Sequence, residues 1–181
     1  MSDNSRFTMH FRPAKASDAS SIAAIHTRSW QLHYRGAMSD QYPNHEASAE
    51  RDRFWTVRLT DHQGQIQTIV AYNSKQLTGF CCLEPDIHPK DGYYLDNLHV
   101  IPEATGKGIG KSLMQKSAAL LLQERPDGRI YLWVLADNTD AISFYYHLDA
   151  RQGRSEILSL AGNKVEALMM WWPLSEMAGW E

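Results

Sequence analysis

Cysteine is scarce in this chain: 181 residues hold two, Cys81 and Cys82, side by side. Neighbours on a strand point to opposite faces, which argues against an ordinary structural disulfide between them. They read as small core-filling residues in a reducing compartment. Charge of a single sign is also missing. Eighteen Lys and Arg stand against 21 Asp and Glu, for a formal net charge of -3, with no long block of either sign. A global basic surface for nucleic acid is therefore not expected. No apolar run approaches bilayer-spanning length. The start, MSDNSRFTMHFRP, lacks the apolar centre of a secretory signal. The eight histidines show neither H-E-x-x-H nor other tight ligand spacing, so no metal is expected. Internal repeats, linkers and low-complexity tracts are absent as well. These absences leave one cytoplasmic globular domain, residues 1–181, with no membrane or nucleic-acid partner.

What is present is aromatic and patterned. Six Trp and eight Tyr suit a core and also the walls of a cleft. TMHFRPA is a short strand stopped by Pro13. SDASSIAAIHTRSWQLHYRG is a helix capped by Ser17 or Asp18, with Ile22, Ile25 and Ser29 at helical spacing and Gly36 as its stop. A second helical region, broken near Pro43, carries Phe54, Trp55 and Leu59 on its apolar side. The period then changes. QIQTIVAYN and QLTGFCCLE are strands joined by the turn NSKQ, and GYYLDNLHV is a third. GKSLMQKSAALLLQE is a helix burying Ile109, Leu113, Leu120 and Leu121. RIYLWVLAD is apolar on both faces, as a central strand is. NTDAISFYYHL is a short capped helix. RQGRSEILSL and KVEALMMWW form a closing antiparallel pair around AGN. The order β-α-α-β-β-β-α-β-α-β-β has more strands than crossover helices. It predicts an α/β (α+β) domain with a mixed sheet flanked by helices.

The segment NLHVIPEATGKGIGKSLMQK is the least ordinary. Gly106, Gly108 and Gly110 alternate with Lys107 and Ile109 just before a helix. Each glycine costs chain entropy, so the cluster has a reason: a tight turn, or a ligand close to the main chain. The dinucleotide fingerprint G-x-G-x-x-G fails in both frames, at Lys111 and at Leu113. The nucleoside-triphosphate loop fits Gly110-Lys111-Ser112 but needs glycine at Thr105, which makes a nucleotide binder the rival. The third arrangement is a helix N-terminus aimed at a pyrophosphate, with backbone N–H groups of residues 106 to 111 offered to the anion and Lys107 and Lys111 nearby.

These residues resemble the GNAT acetyltransferase superfamily. Val100, Pro102, Gly106, Gly108, Ile109 and Gly110 match its acetyl-CoA segment, while Thr105 replaces the usual Gln or Arg. Asn138, Ala141, Phe144 and Tyr145 match its second segment, where Asp149-Ala150 replaces Gly-Phe. IAAIHTRSWQLHYRG resembles a bacterial subgroup, so the likeness spans nearly the whole chain. The resemblance implies acetyl-CoA as co-substrate and a sheet splayed at its site. It implies that Leu98 N–H holds the acetyl oxygen, that Val100 pairs with pantetheine, and that His99 and residues Thr105 to Lys111 line the cofactor. Tyr145 then takes the general-acid position, and Asn138 caps its helix and contacts the cofactor. The glutamate some members use as base is Tyr94 here; Asp96, Glu84 or a water chain remain for that task. Trp30, Tyr34, Arg35 and Tyr94 fall where an acceptor pocket is expected, and His26 and His33 share one helix face as surface or pocket wall. The acceptor that the resemblance implies is a primary amine of a small molecule or peptide. MMWW is a candidate cover for a partner's edge strand in a homodimer. A GNAT-like module that binds acyl-CoA without turnover is the remaining alternative.

Overall fold

The computed structural model describes residues 8–33, 44–60, 67–84, 92–160 and 163–180. Strands are β1 (His10–Pro13), β2 (Gln67–Tyr72), β3 (Leu77–Glu84), β4 (Tyr93–Val100), β5 (Arg129–Leu135), β6 (Arg151–Leu160) and β7 (Asn163–Pro173). Helices are α1 (Ala19–His33), α2 (Asn44–Thr60), α3 (Ile109–Glu124), α4 (Thr139–His147) and α5 (Leu174–Ala178). All seven strands make one sheet in the order β1-β2-β3-β4-β5-β7-β6. Its neighbours are antiparallel except β4 and β5, which are parallel. The expected mixed sheet is therefore present, and the chain order of strands and longer helices is the one the pattern predicts.

The centre of β2 and all but the ends of β3 are buried, because α3 packs on one face of this half-sheet and α1 on the other. The two cysteines show the two faces. Cys81 lies against Ser117 of α3, and Cys82 accepts from Thr68. Both thiols are free and buried, and burial pushes Cys81 up to about 12. The β2–β3 turn is closed by Asn73, whose side-chain oxygen accepts from Lys75 N and Gln76 N at 2.8 and 2.9 Å, the local bond that makes Asn a turn residue. Among the described residues, no helix is long and apolar enough to cross a membrane.

Several local expectations are corrected. Neither Ser17 nor Asp18 caps α1; both lie in a 3-10 turn, Ala16–Asp18, that leads into it. Asp18 reaches backwards, accepting from Lys15 N at 2.7 Å and from Arg12 at 2.6 and 2.9 Å. The Arg12 bond holds its carboxyl below the usual range. Leu120 and Phe54 sit at 39% and 37% exposure, outside the core that holds Leu113, Leu121, Trp55 and Leu59. MMWW is not a free cover for a partner. It belongs to β7, an inner strand between β5 and β6, where Met170 and Trp172 are fully buried. Trp172 Nε1 donates to Leu148 O at 2.8 Å. Past β7, the unexpected α5 buries Leu174 and Met177 and packs on α3. The expected stop at Gly36 lies outside the described residues.

Candidate active site

The site begins where the sheet stops pairing. β4 and β5 share two residue pairs, Tyr93↔Ile130 and Tyr94↔Tyr131. β4 then runs six residues further and β5 four, with no further pair between them. Tyr94 and Tyr131 mark the closed end of this gap, their rings 5.4 Å apart. Being parallel, both strands end on the same side, where a crevice forms beyond the strand ends. β4 leads to the glycine segment and β5 to Asn138 and α4.

A bulge sits inside β4. Cys82 pairs with Asn97 and Leu83 with Leu95, so Asp96 is the extra residue. Bulges break the period-two alternation and re-aim side chains. Here Leu98, opposite Cys81, falls on the α3 face. Asp96, Asn97 and His99 all turn towards α1 and α2, as their partners show.

The glycines have two different reasons. Gly106 and Gly108 have φ of +73° and +72°, and a Cβ on either would meet nothing within 4 Å. They serve a left-handed main chain beneath open space. Gly110 instead allows close packing, since a Cβ there would lie 3.4 Å from Phe144 of α4. The first α3 ladder bond is Ser112 N to Gly108 O at 3.0 Å, so the N–H groups before it point out of the helix end. This exposed helix start fits a pyrophosphate. It does not fit the nucleoside-triphosphate loop. Thr105, where that loop needs its first glycine, is extended, with φ -62°. The Thr105 hydroxyl donates to Pro102 O at 2.5 Å, so it is not offered to a phosphate as a donor. Lys107 Nζ folds back to Glu103 O at 3.0 Å, and the Glu103 side chain pairs with Arg28 of α1 at 2.6 Å. Lys111 lies in the first turn of α3, half-buried. Across the crevice, Asn138 caps α4 by accepting from Ala141 N at 3.2 Å. Tyr145, half-buried, packs edge-on against Trp172 at 5.7 Å, one residue from the Phe144 that touches Gly110.

Under α1 and α2 lies a polar network. Arg58 of α2, its side chain 10% exposed, donates through Nη2 to Glu84 Oε1 and to Asp96 Oδ2, the latter at 3.0 Å. Burial pushes the Asp96 carboxyl up, Arg58 pulls it down and Glu84 pushes it up, and the net direction is upward. Asn97 Nδ2 donates to Asp96 Oδ2 at 2.5 Å. His99 Nε2 lies 3.3 Å from Asn97 Oδ1, and His99 Nδ1 lies 2.8 Å from Ser29 Oγ. The His99 side chain is therefore engaged by Ser29 of α1 and by Asn97 of its own strand. His26 is corrected, from a surface or pocket wall to a core residue. It is 5% exposed, accepts from Trp55 Nε1 at Nδ1 across 3.0 Å, and its pKa is pushed down to about 3, chiefly by burial. Trp30 meets His26 edge-on at 5.9 Å and carries Arg51 over its ring at 4.3 Å. Tyr34, Arg35 and the His33 side chain lie outside the described residues.

Asp96 and Glu84 are thus brought together by Arg58, while Leu98 and Val100 lie on β4, the glycine loop follows that strand, and Asn138 and Tyr145 follow β5. Arg58, Ser29 and Asn97 are new to the site. Arg58 belongs to no motif; its one sequence signal is its place three residues after Trp55, on the same helix face. Among the described residues no group of three or more His, Cys, Asp or Glu could hold a metal ion.

Comparison with known proteins agrees with this geometry. The model of the Acetyltransferase (GNAT) family matches residues 24–149. The chain is 26% identical over 165 residues to the uncharacterized N-acetyltransferase YuaI of Bacillus subtilis, covering 90% of this chain and 91% of that one. The PaiA N-acetyltransferase of Thermoplasma acidophilum, solved in complex with coenzyme A, superposes with a TM-score of 0.65 at 22% identity, over 89% of this chain and 98% of that one. YncA of Salmonella typhimurium, solved with acetyl-CoA, does so with a TM-score of 0.67 at 16% identity, over 92% and 94%.

Proposed function

Because the chain belongs to the GNAT acetyltransferase family, we propose that it transfers the acetyl group of acetyl-CoA to a primary amine of a small molecule or peptide. One observation carries this: the β4–β5 ladder opens after two pairs and its gap ends at the glycine loop and the start of α3. Beyond those pairs six residues of β4 have no partner on β5, a length of edge along which an extended arm can lie. Main-chain groups of Leu98, His99 and Val100 serve that arm, and the N–H groups of residues 106 to 111 serve its pyrophosphate. Lys107, Lys111 and Asn138 flank the anion.

The chemistry then divides among this chain's own groups. Leu98 N–H donates to the acetyl oxygen as charge builds on it. Asp96 takes a proton from the acceptor ammonium, and Glu84 assists through the shared guanidinium. A carboxyl pushed upward by burial is the better base for this step. The amine nitrogen bonds to the acetyl carbon, the carbon–sulfur bond breaks, Tyr145 gives its phenolic proton to the departing thiolate, and the second proton shed by the new amide nitrogen restores the phenol. Trp30 and Tyr94 wall the acceptor side, together with Tyr34. The whole chain, residues 1–181, acts as one domain. Two buried free thiols suit the reducing cytoplasm.

A thiol-release screen with acetyl-CoA and a panel of amines tests the reaction. With the best amine, Asp96→Asn lowers kcat about 10²–10⁴-fold, the range of a lost general base, and Glu84→Gln shifts the acid limb of the rate–pH profile. If both variants overlay the wild type at every pH, water is the base.

A further inference from the structure

Resting on that acetyl-transfer reading, we propose that Arg58, a residue with no contact to the reacting atoms, is a positioning residue. It fixes the Asp96 carboxylate by its Oδ2 and leaves Oδ1 to meet the acceptor amine.

Hydrogen-bond direction carries the inference. A guanidinium has donors only, so Asp96 Oδ2 accepts from Arg58. The Asn97 amide gives its N–H to the same oxygen, which leaves its Oδ1 as an acceptor. In the tautomer that carries its hydrogen on Nε2, His99 donates to Asn97 Oδ1 and its Nδ1 accepts from the Ser29 hydroxyl. Each link from Ser29 through His99 and Asn97 donates towards Asp96. With Arg58 as second donor, Oδ2 is saturated. Among the described residues Oδ1 has no hydrogen-bond partner.

Arg58 is well held for this task. Its guanidinium lies 5.1 Å from the Phe54 ring and 5.6 Å from the Trp55 ring, and the side chain is buried between α2 and the sheet. It meets two carboxylates, Glu84 from β3 and Asp96 from the β4 bulge. Among the described residues, Cys82 of β3, Arg51 of α2, His99 of β4 and His26 of α1 also face the cluster as titratable or charged groups. Without Arg58, two carboxylates would confront each other beneath α2, and one would take up a proton.

The test measures the Asp96 titration directly, by carbon NMR of the full chain labelled at aspartate carboxyls, next to rate–pH profiles. An opposite charge at this range lowers a carboxyl by about 1–3 units. Arg58→Met therefore moves the Asp96 midpoint up by that amount and carries the acid limb of kcat/KM with it. Lost rate returns at higher pH, while acetyl-CoA affinity stays within about twofold. Arg58→Lys recovers much of the midpoint but less of kcat, because a flexible ammonium replaces a guanidinium held against the Phe54 and Trp55 rings. Glu84→Gln moves the midpoint down, and gives a second test should Arg58→Met fold poorly. An Asp96 midpoint that ignores both Arg58→Met and Glu84→Gln overturns the proposal, as does a midpoint that moves while the acid limb stays fixed. A wild type that releases no thiol with any amine, yet shows these midpoint shifts, overturns the acetyl-transfer reading instead.

Discussion

Tyr145 is the residue at which a single proton can be removed from the scheme with the least disturbance. Its ring rests on Trp172, and Phe keeps that contact. Tyr145→Phe is expected to lower kcat about 10²–10⁴-fold with little change in acetyl-CoA affinity. Steady-state kinetics and a binding titration on the same variant check this; retained kcat would make Tyr145 a packing residue. His26 offers a second prediction, on stability. Its folded pKa of about 3 lies below the ordinary 6.5, so between these values the unfolded chain binds the extra proton. The stability it secures is complete above about pH 6.5 and is lost as pH falls, at up to about 1.4 kcal/mol per unit. His26→Gln should flatten the denaturation midpoint between pH 6.5 and 5 relative to wild type. Equal slopes in the two proteins would show that His26 charges without penalty. Neither the burial of His26 nor its bond to Trp55 was legible in the sequence, because a histidine at helical spacing looks the same on a core face and on a wet one.

At the scale of elements, the β4 bulge and the end of α4 matter most. Period-two reading puts Tyr94, Asp96, Leu98 and Val100 on one face. The bulge breaks that series after Asp96, so Leu98 faces α3 while Asn97 and His99 join Asp96 under α1 and α2. A bulge leaves no periodic trace in YYLDNLHV, which is why the network around Arg58 could not be read there. The glycine loop was legible for the opposite reason: a positive φ at Gly106 and Gly108 constrains residue type directly. The same rule explains a departure from the family pattern. Asp149 stands where that pattern has glycine, at φ 59°, just past α4, with its N–H bonded to Tyr146 O at 3.0 Å. Aspartate tolerates this region better than most residues but not as well as glycine. Asp149→Gly should therefore stabilise the protein by about 0.5–1 kcal/mol in chemical denaturation. A destabilised variant would mean that the Asp149 side chain has a role beyond ending the helix.

Over the whole molecule, one sheet divides the work. α1 and α2 cover the face that holds the carboxylates, α3 covers the other, and the gap between β4 and β5 joins the two. The chain order of the longer elements and the mixed sheet followed from pattern alone, since long periodic segments fix element type. The extent of the splay did not, because it depends on where two distant strands stop pairing. In the proposed reaction acetyl-CoA occupies that splay with its pyrophosphate on the glycine loop. The most direct test is thermal stabilisation by coenzyme A in the wild type and in Gly108→Val. Valine at φ +72° strains the loop, and its side chain enters space that is open in the protein itself, so a ligand is what it would displace. The expected result is a clear rise in Tm with coenzyme A for the wild type and none for Gly108→Val, with no rise from ATP–Mg in either. Stabilisation of the wild type by ATP–Mg and not by coenzyme A, or an undiminished coenzyme A response in Gly108→Val, would contradict it.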